Sequence, residues 1–273
     1  MRPAPRIANK GTCSAIPTTI PTEMSGRATE TVLWDQALLR DPHRQPDKAA
    51  RVRAMFDAIA PTYERVNYIL SAGRDVGWRR RAVMVANVAP DDRILDLACG
   101  TGDFARTFAE AGPSLVVGLD FSENMLALAA GRGSRSIRWC RADALAIPFA
   151  DRSYSVVSCA FGVRNFQSLS TGLREIARVL MPGGRAVILE FSAPSSRWLG
   201  ALYLFYFHRI LPRLAAWISH DRSGAYDYLP KSVSSFSDER ALKAEMHNAG
   251  FDRIETTTCT MGIARIYLGW RKR

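Results

Sequence analysis

No stretch of the chain reaches the roughly 18 unbroken apolar residues of a membrane-spanning helix, and the first 22 residues lack the apolar core of a secretory signal. These absences predict a protein made and kept inside the cell. Cysteine is scarce: Cys13, Cys99, Cys140, Cys159 and Cys259 contain no C-x-x-C pair and are odd in number. Neither a zinc site nor a disulfide framework is expected, and a reducing cytosol is the natural setting. Internal repeats are missing, and 19 Gly and 14 Pro in 273 residues are too few for a collagen-like or low-complexity chain. Acids are outnumbered, 26 Asp+Glu against 37 Lys+Arg, which gives a net charge of +11 at pH 7.

Where that charge lies decides what it implies. Residues 1–22, 74–81 and 265–273 together hold 11 bases and 1 acid, leaving 26 bases against 25 acids elsewhere. A near-neutral body is not the basic sheath that coats nucleic acid, so no nucleic-acid partner is expected. Local contact with an anionic surface stays open.

The length and a hydrophobic content of 47% suffice for one compact catalytic domain without staples. Residues 1–47 are expected to form a disordered or weakly ordered tail, since Pro3, Pro5, Pro17 and Pro21 sit among Ser, Thr and Gly. The absence of acids before Glu23 gives it a faint likeness to an organelle transit peptide, and Met24 offers an alternative start. Residues 48–273 are expected to form the domain, with a helical lid at 48–90 and an aromatic insertion at 195–238.

Val52, Met55, Phe56 and Ile59 recur at helical spacing over 48–60, and Pro61 closes that helix. A second helix is expected over 78–88. From residue 93 strand and helix alternate, with strands at 93–98, 115–119, 137–141, 155–160 and 185–190. Helices are expected at 103–110, 123–130 with Ser122 as cap, and 170–180. A helix at 239–248 precedes strands at 253–258 and 264–270, joined by Thr260–Gly262 without a helix, so the last strand should run antiparallel. The expected class is α/β: a mostly parallel seven-stranded sheet, helices on both faces, and an antiparallel last strand.

The most informative segment is Leu95-Asp96-Leu97-Ala98-Cys99-Gly100-Thr101-Gly102-Asp103, a strand running into a glycine loop and a helix N-terminus. Gly100 and Gly102 permit a tight turn and close approach of a ligand to the backbone. With Ala105 they also satisfy G-x-G-x-x-A, a dinucleotide fingerprint. Asp120 ends the next strand, where a carboxylate accepts two hydrogen bonds from a ribose diol in either case. Asp143-Ala144 ends the third strand, an acid and a small residue suited to an adenine amine and ring. A Pro182-Gly183-Gly184 turn precedes the fifth strand.

Together these residues resemble the class I S-adenosylmethionine-dependent methyltransferases, which implies a Rossmann-like fold and S-adenosylmethionine as cofactor. Asp96, Gly100, Thr101, Gly102, Asp120, Asp143 and Ala144 are the residues expected to hold it, and no metal is expected. Further blocks narrow the likeness: Phe56 to Asn67, Leu70-Ser71-Ala72-Gly73 with Trp78-Arg79-Arg80, Phe161-Gly162-Val163-Arg164-Asn165, Leu189-Glu190-Phe191-Ser192, and Tyr226-Asp227-Tyr228-Leu229 with Ser232. From about Phe56 onward the chain resembles the polyprenyl-quinone C-methyltransferases of the UbiE/MenG type. Against that pattern Tyr63-Glu64 replaces Tyr-Asp, Cys99 replaces a loop glycine, and Tyr154-Ser155 replaces Phe-Asp.

The resemblance implies methyl transfer to a ring carbon of demethylmenaquinol or of the benzoquinol precursor of ubiquinone. Another small lipophilic substrate is the alternative, and oligomeric state is undetermined. Such a reaction requires a phenolate that pushes charge onto the ortho carbon. Arg164, beyond the fourth strand at the carboxyl edge of the sheet, is placed to stabilise that oxyanion. Asn165 would orient the same oxygen or a water. Arginine is too basic to accept the proton, so the general base is unassigned. Tyr63 and Asn67 are expected in a lid over the cofactor, and Tyr226 and Tyr228 as walls of the substrate pocket. The aromatic run from Trp198 to Ile218, interrupted by Arg197, His208, Arg209 and Arg213, suits a prenyl groove or an interfacial segment touching anionic lipid. A cytoplasmic protein, peripheral on the inner face of the membrane, is the location these features imply.

Overall fold

The computed structural model describes residues 33–133, 136–192, 209 and 224–273. A seven-stranded sheet runs through it: β1 (Arg93–Leu97), β2 (Leu115–Asp120), β3 (Ile137–Arg141), β4 (Tyr154–Ala160), β5 (Leu180–Phe191), β6 (Phe251–Cys259) and β7 (Ala264–Arg271). The spatial order is β3-β2-β1-β4-β5-β7-β6, with β1 to β5 parallel and β7 antiparallel to both of its neighbours. The inner strands are continuous apolar runs such as Ile94-Leu95 and Ala186 to Leu189, because both faces of a parallel sheet are covered.

The helices are α1 (Lys48–Ile59), α2 (Tyr63–Leu70), α3 (Arg74–Ala86), α4 (Asp103–Ala109), α5 (Glu123–Gly131), α6 (Leu169–Val179), α7 (Ala225–Ser234) and α8 (Glu239–Asn248). Two core layers sandwich the sheet. One packs Leu173, Ile176, Leu242 and Met246 of α6 and α8 on one face; the other packs Trp78, Ala82, Phe104 and Phe108 of α3 and α4 on the opposite face. Local chemistry fixes the ends. Ser122 accepts from the Met125 N–H and Ser168 from the Thr171 N–H, each satisfying an orphan donor of the first turn. The Pro182-Gly183-Gly184 turn lies inside β5, where residues 181–184 loop out between the Tyr154–Leu180 and Val156–Arg185 pairs.

Three expectations change. Residues 33–47, assigned to the tail, belong to the domain: Trp34 and Leu39 are buried in a third cluster with Val52, Met55, Tyr226 and Tyr228. The Trp34 ring lies 4.4 Å from that of Tyr228. The polar, proline-bearing composition of this segment masks its two anchors, whose partners lie far along the chain. The basic segment at 74–81 is also less exposed than its composition implies. Arg79 is buried and pairs with Asp75 at 2.8 Å, leaving Arg74, Arg80 and Arg81 facing outward. In the last nine residues Arg265 pairs with Glu239, and Arg271 donates to the Leu180 carbonyl. Their charge is thus engaged within the fold. Apart from Arg209 and residues 224–238, the aromatic insertion lies outside the described residues.

Candidate active site

The carboxyl ends of β1, β2 and β4 open beneath α1 and α2, and two adjoining cavities lie there. The first is a cleft lined by Gly100, Asp120, Phe121, Asp143, Ala144 and Asn165 among others. The second, of about 350 Å³, is mostly apolar and is lined by Tyr63, Asn67, Trp78, Arg164, Tyr226 and Tyr228 with further residues. Phe56, Tyr63 and Phe161 line both.

The cleft is built on Asp120. Its Oδ2 accepts the Gly100 N–H at 2.8 Å and its Oδ1 the Ser122 N–H at 2.8 Å, so the carboxylate closes the β1–α4 loop onto β2. Burial raises its pKa to about 6. A buried carboxylate with two amide donors at the end of a strand retains lone pairs for a diol. Gly100 has φ +54 and no atom within 4 Å of where a Cβ would lie, so the backbone is open to a ligand. Asp143 uses Oδ1 to accept the Leu145 N–H, beside Phe121, Ala142 and Leu145, which offer apolar walls to a flat ring. A ribose diol and an adenine thus find suitable partners, and this donor set fits S-adenosylmethionine. With Phe56 and Tyr63 over it, the cleft encloses only about 70 Å³. α1 is fastened above it by Ser122 Oγ donating to Asp57 Oδ1 at 2.5 Å and Asn124 Nδ2 donating to the Asp57 carbonyl at 3.1 Å.

Not every residue of the loop faces this cleft. Asp96 is buried below it, where Oδ1 accepts the Ser158 hydroxyl at 2.7 Å and burial lifts its pKa to about 7. The buried Thr101 turns its carbonyl to Arg106 Nη2 at 2.6 Å. Gly102, φ +86, caps α4, and a Cβ there would meet Trp139 at 2.4 Å. Asp96, Thr101 and Gly102 shape the loop from beneath and line neither cavity. Spacing along the chain cannot separate residues on the ligand side of a loop from those supporting it.

In the second cavity Arg164 is 5% exposed and sits in the short turn Val163–Asn165. Its Nη1 donates to Glu190 Oε1 at 2.9 Å and to the Phe161 carbonyl at 2.5 Å, and Phe191 covers its guanidinium at 5.5 Å. Its Nε–H has no partner among the described residues. The pair is a buried one, which local sequence could not distinguish from an exposed ion pair. Asn165 is oriented by Tyr228, whose hydroxyl donates to Oδ1 at 3.0 Å, and by its own Nδ2 donating to the Phe161 carbonyl at 3.3 Å. Arg164 and Asn165 therefore point into neighbouring cavities. Tyr63 lies between them, and burial raises its pKa. Asn67, Tyr226 and Tyr228 line the apolar side together.

Sequence reasoning missed three contributors. Glu190 lies within a recognised block, but nothing local shows that it meets Arg164. Lys48 is almost fully buried against the Arg164 turn. Glu64, in place of the usual aspartate, reaches Arg132 at the end of α5. Among the described residues no group of His, Cys, Asp and Glu side chains is arranged to hold a metal.

Known proteins resemble this chain in sequence and in fold. The demethylmenaquinone methyltransferase of Deinococcus radiodurans is 45% identical over 227 residues, covering 82% of this chain and 93% of its own. That of Thermus thermophilus is 47% identical over 221 residues, 80% and 100% of the two chains. The ubiquinone/menaquinone biosynthesis C-methyltransferase UbiE of Geobacter sulfurreducens is 45% identical over 238 residues, 83% and 91%. In fold the chain is similar to a SAM-dependent methyltransferase structure from Thermotoga maritima, with TM-score 0.59 and 18% identity over 81% of this chain and 99% of that one. The family described as the ubiE/COQ5 methyltransferase family matches residues 44–271, and with these relatives it makes the chain a member of that family.

Proposed function

We propose that the protein transfers a methyl group from S-adenosylmethionine to a ring carbon of a polyprenyl quinol, demethylmenaquinol first among such substrates. The observation that carries this reading is Arg164: a buried cation whose Nε–H has no partner among the described residues, lining a largely apolar cavity that shares Phe56, Tyr63 and Phe161 with the Gly100–Asp120 cleft. A quinol ring is apolar apart from its two oxygens, and methylation at carbon needs negative charge on one of them. An arginine donor in a water-poor cavity favours that charge more than it would in water.

Gly100, Asp120, Asp143 and Ala144 would hold the cofactor, with Asp120 accepting from its ribose and Asp143 from its adenine amine. When bound it supplies an electrophilic methyl group on sulfur. The chain's own residues do the rest. Arg164 draws the quinol oxygen toward its anionic form, with Glu190 holding the guanidinium in place. Asn165, fixed by Tyr228, orients a polar atom at the junction of the two cavities. Phe161, Tyr63 and Phe56 exclude water there. In this reading the α1–α2 segment, which carries Phe56 and Tyr63 over the narrow cleft and Asn67 beside the apolar cavity, acts as a lid that moves outward for ligand entry.

Access from a lipid phase belongs to the same reading. The cavity is bounded on one side by Ser71, Ala72 and Arg74; Tyr68 and Ile69 of α2 are exposed near this wall, and Val76, Arg80, Arg81 and Met84 are exposed farther along α3. Apolar side chains flanked by cations suit the surface of an anionic membrane. No helix among the described residues is long and apolar enough to cross one. A peripheral position on the inner face of the cytoplasmic membrane follows from this proposal.

The test is incubation of the purified protein with radiolabelled S-adenosylmethionine and a short-chain demethylmenaquinol kept reduced. Label is expected on the ring carbon, with none transferred to the oxidised quinone. Transfer to neither a menaquinol nor a benzoquinol precursor would overturn the substrate assignment, and binding of NAD in place of S-adenosylmethionine would overturn the cofactor.

A further inference from the structure

Lys48, the first residue of α1, is 2% exposed yet lines neither cavity. Its ammonium has three protons and three acceptors: the Arg164 carbonyl at 2.9 Å, the Phe166 carbonyl at 2.7 Å and His43 Nδ1 at 3.2 Å. The first two carbonyls flank Asn165. The His43 ring in turn meets the Ser232 carbonyl of α7 through Nε2 at 2.9 Å. Accepting from Lys48 at Nδ1 requires a neutral imidazole that donates from Nε2, and burial followed by the Lys48 charge lowers the His43 pKa in the matching direction. A second tie lies alongside: Gln167 Oε1 accepts the Ala49 N–H at 2.8 Å, and Gln167 Nε2 donates to the Gln45 carbonyl at 3.0 Å.

We infer that Lys48 is a positioning residue for methyl transfer, pinning the turn that carries Arg164 and Asn165 to the N-terminal segment and, through His43, to α7. This rests on the proposed reaction for its consequence in turnover, and on geometry alone for the pin itself. Burying an ammonium without a carboxylate partner is unfavourable, and the absence of one among the described residues argues against a simple ion pair. The desolvation is visible in its pKa, lowered to about 8 by burial and then by Arg164. What the cation gains is two charge-assisted bonds to carbonyls that a short turn cannot satisfy internally. α7 also reaches the turn directly, since it supplies the Tyr228 hydroxyl to Asn165, while the Arg164 side chain is held from β5 by Glu190. Lys48 thereby sets the spacing between the Arg164 cavity and the cleft, and displacements of an ångström at such a junction cost about 100-fold in rate.

The test compares wild type, Lys48→Met, Lys48→Arg and His43→Gln in the full chain. Lys48→Met keeps the stem and removes every donor. Its kcat on reduced demethylmenaquinol is expected to fall about 100-fold while the dissociation constant for S-adenosylmethionine stays within about twofold. Lys48→Arg, which restores cationic donors, should recover part of the loss, and His43→Gln, which leaves Lys48 and an acceptor for it in place, should retain most of the wild-type kcat. Independently of turnover, hydrogen exchange at the Asn165 and Phe166 amides should quicken in Lys48→Met while β1 is unchanged. A wild-type kcat per folded molecule, or an unaltered exchange rate in the turn, would overturn the assignment. Failure of the wild type to methylate any quinol while the turn still loosens would instead overturn the proposed reaction and leave the pin standing.

Discussion

Arg164 and Glu190 meet at 2.9 Å with side chains 6% and 2% exposed, an ion pair enclosed between the turn after β4 and the end of β5. Glu190 also accepts the Phe191 N–H through the same Oε1 at 2.9 Å, so the carboxylate is fixed before it fixes the arginine. Such a pair adds little net stability, because both charges have left water. Its value is in direction: Nη1 of the guanidinium is occupied, and the Nε–H is left over among the described residues.

Removing one partner of the pair is therefore costly. Glu190→Ala strands the Arg164 cation and is expected to destabilise the fold by roughly 3–5 kcal/mol in urea denaturation. Glu190→Gln keeps a carbonyl acceptor and should lose less. If Glu190→Ala unfolds at the wild-type urea concentration, the carboxylate does not hold Arg164.

Two glycines of the β1–α4 loop should fail in different ways. Gly102→Ala forces a Cβ to 2.4 Å from Trp139 at φ +86, adding overlap to left-handed strain, and should cost about 2–4 kcal/mol of stability. Gly100→Ala at φ +54 meets no atom, so its cost to folding is about 1 kcal/mol. Its methyl group borders the cleft, and titration calorimetry should show weakened S-adenosylmethionine binding. Equal affinities for Gly100→Ala and wild type would remove Gly100 from the cofactor contact.

Much of this loop was legible because its signals are local. Ser122 precedes an apolar run and caps α5, and the β3 span at 137–141 is as its pattern predicts. Asp120 and Asp143 follow strands whose ends the alternation already marks. What escaped depends on contacts distant in sequence. Trp34 is buried in a cluster that includes Tyr226 and Tyr228, and Lys48 finds its acceptors 116 and 118 residues away. Arg79 is an exception to that rule, since its partner Asp75 lies one turn before it on the same helix face; what the local pattern leaves open there is the burial of the pair. The placement of β7 between β5 and β6 is likewise a pairing choice that no local pattern encodes. Asp96 illustrates the remaining difficulty: its position in the motif was clear, but its side chain turns to Ser158 beneath the loop.

Asp96 also gives a pH signature. Burial raises its folded pKa to about 7, above the ordinary carboxylate value near 3.9. Between those values the folded state holds the proton more tightly than the unfolded chain, so this residue's contribution to stability falls as pH rises from about 4 to about 7. Asp120, raised to about 6, acts in the same direction. Asp96→Asn keeps an acceptor for the Ser158 hydroxyl and does not titrate. Urea denaturation of both proteins at pH 4.5, 6 and 8 should show the variant gaining on wild type as pH rises. Parallel stability curves would mean that Asp96 ionises freely in the fold.

The outward side of α3 supplies the last test. Of the four bases at 74–81, Arg79 is committed to Asp75, so the proposed lipid contact depends on Arg74, Arg80 and Arg81 beside exposed Val76 and Met84. A basic residue near an anionic bilayer contributes about 1 kcal/mol. Arg80→Ala combined with Arg81→Ala should weaken sedimentation with phosphatidylserine-containing vesicles by roughly 30-fold, and raised salt should weaken the wild type in the same way. Lys272 and Arg273 follow β7 at the sheet edge opposite the cavities, where Trp270 pairs with Arg185 at the start of the inner β5 run. Replacing both with Ala should leave vesicle binding unchanged. If the wild type binds neutral and anionic vesicles equally, charge is not what brings the protein to lipid, and Tyr68, Ile69, Val76 and Met84 would carry the contact alone.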